Sequence, residues 1–176
     1  MEPAPTTGRH VHTGRRGGMG VSWRRRIGIA AACAAVAWAP TGAAAPSGIC
    51  IGPEVTFDAH AESVIRALAN RFRASAGLRP LRARAALNRV ARRHSLEMAR
   101  RGSFAHSLRN GRFPWANGRT AAENLALAGT ARQTHVVLTQ SPPHRATLLG
   151  RRYRSFGVGA LRTCTGQLLV TETFLG

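Results

Sequence analysis

The 176-residue sequence contains no lysine, so all 26 of its basic residues are arginine. Acidic residues number only 7, and aromatic residues make up 6% of the chain. A surface built to bind phosphate normally mixes Lys with Arg, and few aromatic side chains are present to stack on bases. The formal charge of +19 therefore shows that the protein is strongly basic, but it does not identify the partner. The composition argues against nucleic acid as that partner.

The N-terminal segment lacks the ~20 apolar residues that a membrane-spanning helix needs. Its apolar run, residues 27–39, follows an arginine cluster at 24–26 and precedes the small residues 41–45. This order is typical of a secretory signal peptide. We predict a cleaved leader over residues 1–45, with Met19 as an alternative start and an uncleaved membrane anchor as the minority alternative. The predicted location is secreted or extracytoplasmic.

Cysteine is also scarce, with three residues in the chain. Removal of the leader takes away Cys33 and leaves Cys50 and Cys164, together with a formal charge of about +14. An even pair of cysteines in an exported domain predicts a disulfide bond. A bridge that closes so long a loop contributes up to about 4–5 kcal/mol in the chain-entropy account.

After an irregular lead-in over residues 46–57, apolar residues recur at helical spacing from Asp58 onward. This periodicity predicts helices over residues 58–76, 84–101, 121–128 and 131–139, with one more turn over 144–149. The end of the chain changes period, and residues 153–162 and 167–175 are expected to form two strands of a hairpin. Helices followed by a terminal hairpin indicate an α+β domain over residues 58–176.

Three residues could carry chemistry: His106, just past the second helix, Glu123, in the predicted helix over 121–128, and His144, at the start of the last helical turn. Two imidazoles and one carboxylate suit a Zn²⁺ site with an open position, or acid–base chemistry near neutral pH. Their separations of 17 and 21 residues differ from the compact spacing of a helical zinc motif, so spacing alone leaves their convergence open. His94 lies on the apolar stripe of a helix and is expected to be a hydrogen-bonded core residue.

Several short segments occur in a fixed order between residues 61 and 176. They include F-A-H-S at 104–107, A-E-N-L-A at 122–126, S-P-P-H-R at 141–145 and F-G-V-G at 156–159. In this order they resemble the CAP superfamily (cysteine-rich secretory proteins, antigen 5 and pathogenesis-related 1 proteins) in its bacterial extracellular form. The resemblance implies a three-layer α–β–α sandwich with a central antiparallel sheet and a cleft.

The resemblance also assigns roles within that cleft. His106 and His144 match the histidines that bind a divalent metal, and Glu123 matches an acid that would carry any catalysis. Asn124, Ser141 and Arg145 would support the cleft. Departures from the family pattern are Ala122 and Pro143 in place of Gly, Leu138 in place of Trp, and no evident second acid, with Ser141 near its place.

These features favour an exported CAP-domain protein whose cleft binds Zn²⁺, another divalent cation or a small ligand. One alternative is a metal-assisted hydrolase of peptide or cell-envelope material, with Glu123 as its base. The other is a non-catalytic module whose arginine surface docks on anionic envelope polymers or lipids. The sequence leaves open whether the protein is an enzyme, and it does not indicate an oligomeric state.

Overall fold

The computed structural model describes residues 49–50 and 55–176. The predicted leader, with Met19 and Cys33, lies outside the described residues, as does much of the lead-in. Within the described ranges, every helix is too short or too polar to span a membrane.

Four α-helices occupy the described chain: α1 (Ala59–Ser75), α2 (Ala85–Arg101), α3 (Ala131–Gln140) and α4 (Pro142–Leu148). Asp58 caps α1 by accepting a hydrogen bond from the Ala61 backbone at 2.8 Å. Thr130 caps α3 in the same way, and Gly102 ends α2 in the left-handed conformation that glycine adopts readily. Pro142 and Pro143 occupy the first helical turn of α4, where their missing N–H groups cost nothing.

The sheet has four strands: β1 (Arg82–Ala83), β2 (Ala121–Ala128), β3 (Ser155–Arg162) and β4 (Leu168–Leu175), in the order β1-β3-β4-β2. The three long strands are antiparallel, and the two-residue β1 pairs in parallel with β3. The predicted hairpin is confirmed as β3–β4. The predicted helix over 121–128 is wrong: this segment is the outer strand β2, paired along its whole length with β4.

The helices cover both faces of the sheet, which confirms the predicted α+β sandwich. One apolar core lies between the sheet and helices α1, α3 and α4, around Ile65, Leu138, Leu148 and Phe174. A second, smaller core packs α2 on the opposite face through Met98, Leu125, Leu161 and Leu169. Because side chains alternate along each strand, neighbouring residues of β2 face different helix layers.

Helix α2 packs backbone to backbone on β3 because two glycines of the strand face it. A Cβ on Gly159 would stand 2.3 Å from the Arg92 backbone nitrogen, and one on Gly157 would stand 2.3 Å from the Leu87 carbonyl carbon. The Ser95 hydroxyl donates to the Gly159 carbonyl at 3.1 Å across the same contact. The absence of these two side chains therefore sets the distance between the helix and the sheet.

Beyond β1, the free edge of β3 is covered by hydrogen bonds from outside the sheet. Asn88 accepts from the Val158 N–H at 3.1 Å, and Glu62 accepts from the Ala160 N–H at 3.3 Å. Glu62 is itself buried and receives two 2.7 Å hydrogen bonds from Arg92. The Arg162 N–H donates to the Thr56 carbonyl at 2.9 Å, so the chain before α1 completes the cover.

The predicted bridge between Cys50 and Cys164 is confirmed, with Cα atoms 5.5 Å apart. It joins the start of the described chain to the turn after β3, where the Cys164 N–H also donates to the Cys50 carbonyl at 3.1 Å. The bond therefore holds the segment before α1 beside the edge of β3.

A buried arginine connects α1 with the end of α4. Arg73 is 2% exposed and donates to the carbonyls of Leu148 at 2.7 Å, Gly150 at 3.1 Å and Arg79 at 3.0 Å. Burial, with a contribution from Arg154, lowers the pKa of this guanidinium. Carbonyl oxygens, and not carboxylates, are thus the hydrogen-bond partners of this buried cation. The hydrogen bonds to Leu148 and Gly150 hold the C-terminal end of α4 in place.

Candidate functional site

The outer strand β2 places Glu123 at the centre of a hydrogen-bonded group on the α2 side of the sheet. The carboxylate is buried, and its Oε1 accepts from His106 Nδ1 at 3.1 Å and from the Ser107 backbone at 3.0 Å. Its Oε2 accepts from the Ser107 hydroxyl at 2.8 Å. The structure therefore brings together His106 and Glu123, two of the three residues that the sequence singled out.

This carboxylate orients the imidazole of His106. Because Nδ1–H donates to Glu123, the neutral ring carries its free lone pair on Nε2. The side chain of His106 is 42% exposed, whereas that of Glu123 is 0% exposed, so the ring projects from a buried anchor toward solvent. A carboxylate behind a histidine is the arrangement that fixes the orientation of the ring in metal sites.

Ser107 and Trp115 extend the group, and the sequence reasoning named neither as a site residue. The Trp115 indole N–H donates to the Ser107 hydroxyl at 3.2 Å, which in turn donates to Glu123. Ser107 directly follows His106 in the F-A-H-S segment, and this adjacency was the available sequence signal. Both residues lie on the connection between α2 and β2.

His94, expected in the core, is buried and hydrogen-bonded as predicted, and it also belongs to this site. Its Nε2 donates to the Ala105 carbonyl at 2.9 Å and lies 3.5 Å from Glu123 Oε1. Its Nδ1 has no hydrogen-bond partner and lies 3.8 Å from a Glu97 carboxylate oxygen. The ring therefore supports the 105–106 backbone from behind.

His144 comes from α4, which belongs to the helix layer on the other face of the sheet, and its ring is close enough to His106 for the two charges to interact. Its Nδ1 lies 2.7 Å from the Ser141 hydroxyl, and its backbone carbonyl accepts from Asn124 Nδ2 at 3.3 Å. Burial, and secondarily the nearby charge of His106, lowers the pKa of His144, which favours the neutral ring. Ser141 and Asn124 thus hold His144 from its side chain and from its backbone.

Arg145 lies apart from these contacts, with its guanidinium carbon 5.0 Å from the centroid of the Phe72 ring on α1. Within the part of the chain that the structure describes, no three His, Cys, Asp or Glu side chains form a group that could hold a metal ion. A metal bound through the two histidines would need further ligands from water or from a small molecule.

A second buried carboxylate, which the sequence reasoning missed, lies behind Asn124. Glu172 on β4 is directly opposite Asn124 in the sheet, is 1% exposed, and accepts from Asn124 Nδ2 at 3.1 Å. Desolvation raises its pKa from 4.5 to about 7, although the Asn124 hydrogen bond opposes the shift. Neither Glu172 Oε1 nor Asn124 Oδ1 has a partner, which fits a carboxylic acid that keeps its proton.

The raised pKa makes the stability of the domain depend on pH. Between about pH 4.5 and 7 the unfolded chain has released a proton that folded Glu172 retains. Stability should therefore fall as pH rises through this window, by about 3 kcal/mol in total. We expect Glu172→Gln to remove this fall and to be more stable than the wild type at pH 8.

Urea unfolding of the wild type and of Glu172→Gln from pH 4 to pH 8 measures this effect. The result is the difference between their two profiles of unfolding free energy against pH. Glu97→Gln is the control, because the Glu97 side chain is 49% exposed and should leave the slope unchanged. Parallel wild-type and Glu172→Gln profiles would show that Glu172 ionises normally in the folded protein.

The fold and the site together define a class of protein. It is an α–β–α sandwich domain with a buried glutamate on its outer strand and two histidines beside that strand. The family model described as CAP, the cysteine-rich secretory protein family, matches residues 66–174, which is more than half of the chain. The chain belongs to this family. Among curated proteins, no sequence matches it.

Solved structures resemble the fold over about two thirds of the chain. An outer surface protein of Borrelia burgdorferi has 16% identity and a TM-score of 0.61, with 69% of this chain and 98% of that one covered. A cysteine-rich secretory protein of Staphylococcus aureus has 19% identity and a TM-score of 0.55, with coverages of 66% and 38%. An extracellular SCP-domain protein of Bacillus anthracis has 25% identity and a TM-score of 0.55, with coverages of 66% and 40%. The chain thus spans about two fifths of the last two proteins.

Proposed function

We propose that this chain is an exported CAP-domain protein whose cleft binds a divalent metal ion, with Zn²⁺ as the first candidate, through His106 and His144. The observation that carries the proposal is that both imidazole rings are held through Nδ1. Each has Nδ1 next to a fixed oxygen, Glu123 for His106 and Ser141 for His144. A carboxylate only accepts, so His106 has Nε2 free as a ligand atom; the Ser141 hydroxyl can accept from Nδ1–H of His144, and in that tautomer His144 Nε2 is free as well. Two imidazole Nε2 atoms suit the donor chemistry of Zn²⁺.

Within this proposal, Glu123 is a positioning residue for His106. Its two oxygens already accept three hydrogen bonds, from His106 and from the backbone and hydroxyl of Ser107. Asn124 and Ser141 hold His144 on the other side of β2. A bound divalent metal would supply Lewis-acid polarisation of an oxygen on a small ligand. Hydrolysis of peptide or envelope material remains the alternative, and it would need Glu123 freed as a base.

Export is supported by the leader pattern, by the bonded cysteine pair and by relatives whose names describe outer-surface, secretory or extracellular proteins. Disulfide bonds persist mainly in oxidising compartments. We infer a secreted or extracytoplasmic protein.

Calorimetric titration of the full chain with Zn²⁺ tests the metal site. We expect His106→Ala and His144→Ala each to weaken one binding event by at least about 100-fold, since each removes one of two protein ligands. Glu123→Gln should weaken it by about 10- to 100-fold, because the ring loses its orienting carboxylate. His60→Ala, on the exposed start of α1, is the matched control and should bind as the wild type does.

His10 and His12 are present in every variant, so any Zn²⁺ bound there is constant across the series. Equal Zn²⁺ affinity and stoichiometry in the wild type and in the His106→Ala and His144→Ala variants would contradict the metal site. Turnover of peptide, ester or peptidoglycan substrates that disappears in a folded Glu123→Gln variant would favour the hydrolase instead.

A further inference from the structure

A cavity of about 460 Å³ lies between α2 and the loop that leads to β2. Arg93 and Arg101 line it from α2, and Arg109 lines it from the loop. Arg93, Glu97 and Arg101 are spaced by four residues, so they follow one stripe of the helix. Three arginines and one glutamate, Glu97, thus line the cavity.

Within the described ranges, these three arginines form no ion pair, and their guanidinium groups donate no hydrogen bond inside the protein. Other arginines of the chain are paired, as Arg92 is with Glu62 and Arg162 with Asp58. With three arginines and one glutamate, Glu97, the wall of the cavity has a net positive charge, which attracts an anion.

The loop side of the cavity is a defined structure. Arg109 and Arg112 exchange backbone hydrogen bonds of 2.8 and 3.0 Å around Asn110-Gly111, whose φ angles are +49° and +71°. Asn-Gly is the preferred sequence for such a two-residue turn because both central residues need positive φ. Arg109 is therefore held at the end of a tight hairpin turn that faces α2.

Two further side chains complete the walls. The Trp115 ring lines the cavity and is fixed by the hydrogen bond from its indole nitrogen to Ser107. His94 lines it as well, is 8% exposed, and has an unpartnered Nδ1. Because Nε2–H donates to the Ala105 carbonyl, this Nδ1 is an acceptor, and its partner in the cavity would be a hydroxyl group of the bound molecule and not a phosphate oxygen.

We propose that this cavity is a binding site for a phosphate group, held by Arg93, Arg101 and Arg109 beside the Trp115 ring. Guanidinium groups bind phosphate oxygens in bidentate fashion, and the aromatic wall accepts the carbon portion of a phosphate ester. The site is distinct from the proposed metal site, because neither His106 nor His144 lines this cavity. It does not depend on metal binding, and the two proposals can fail separately.

Calorimetric titration of the full chain with glycerol 3-phosphate, in low-salt buffer free of metal and inorganic phosphate, tests the site. The triple variant Arg93→Gln/Arg101→Gln/Arg109→Gln should bind at least about tenfold more weakly than the wild type. The matched control Arg132→Gln/Arg151→Gln/Arg152→Gln loses three exposed arginines elsewhere, so it feels the same drop in long-range attraction. We expect the control to stay within about twofold of the wild type.

A second readout does not depend on the arginine variants. The fluorescence difference between the wild type and Trp115→Phe isolates indole 115 from Trp23 and Trp38, and it should change on addition of glycerol 3-phosphate. Vesicles of phosphatidylcholine with and without phosphatidic acid then identify the source of the phosphate. Retention that requires phosphatidic acid and Arg93, Arg101 and Arg109 indicates a lipid headgroup, whereas binding of the soluble ester alone indicates a free metabolite.

Equal losses in the triple variant and in its control would show attraction to the general arginine surface, and would overturn the site. Absence of binding by both the soluble ester and the phosphatidic acid vesicles would overturn it as well.

Discussion

Replacement of Gly159 by alanine is expected to destabilise the domain by about 4 kcal/mol or more. The added Cβ would stand 2.3 Å from the Arg92 nitrogen and 2.5 Å from the Ala91 carbonyl carbon, and both are backbone atoms of α2. No side chain can rotate away, so the whole helix must move from the sheet. The Ser95–Gly159 hydrogen bond and the packing of Met98 on Leu125 would be lost together.

Urea unfolding followed by circular dichroism measures this loss. Gly118→Ala is the matched control, because Gly118 has φ +76° and nothing within 4 Å of an added Cβ. It should cost only the left-handed strain of about 1–2 kcal/mol. Since small domains are stable by about 5–15 kcal/mol, Gly159→Ala leaves a marginal fold. Similar costs at the two glycines would show that α2 is not held by this contact.

Arg73→Met is expected to cost about 3–5 kcal/mol, because it leaves three carbonyl groups without their donor. Two of them, Leu148 and Gly150, belong to the end of α4 and the turn after it. Loosening that end should also disturb His144 near the start of the same short helix. We therefore expect weaker Zn²⁺ binding in addition to lower stability.

Arg71→Met, an exposed position on the same helix, is the control and should change the free energy of unfolding by less than about 0.5 kcal/mol. Arg73→Lys should fall between the two, because one ammonium group cannot reproduce the planar fork of a guanidinium. Chemical denaturation with the midpoint and slope compared across the three variants separates these outcomes. An Arg73→Met variant as stable as Arg71→Met would show that the buried arginine does not stabilise the fold.

Local signals in the sequence were sufficient for much of the fold. These signals depend only on neighbouring residues. They are the helix ends at Gly77 and Gly102, the helix cap at Thr130, and the change to alternating Val, Thr and Phe near the C-terminus. Helices α1, α2 and α3 and the β3–β4 hairpin lie where these signals predict them. The disulfide is predictable because only two cysteines, Cys50 and Cys164, follow the predicted leader.

The outer strand was mistaken for a helix for a physical reason. Ala, Leu and Glu in A-A-E-N-L-A-L-A have high helix propensity, and a strand covered on both faces shows no alternation. Residues 123–126 are all buried. Pairing with β4 overrides the local preference, and that pairing depends on residues almost fifty positions away.

The site was predictable only in part for the same reason. The family resemblance assigns His106 and Glu123 to one cleft, and the structure places His106 Nδ1 3.1 Å from Glu123 Oε1. Glu172 becomes part of the arrangement only through the Asn124–Glu172 register, which no local pattern specifies. The arginines around the cavity were indistinguishable from the other arginines until the loop placed Arg109 opposite α2.

The cover over the edge of β3 has a consequence for assembly. A bare strand edge is a template on which a second chain can add its own strand. Here part of that edge is occupied by the segment before α1, whose attachment includes one covalent bond, Cys50–Cys164. The disulfide thus makes this part of the cover covalent, and in a reducing compartment the segment before α1 could leave the end of β3 and open it to strand addition by a second copy.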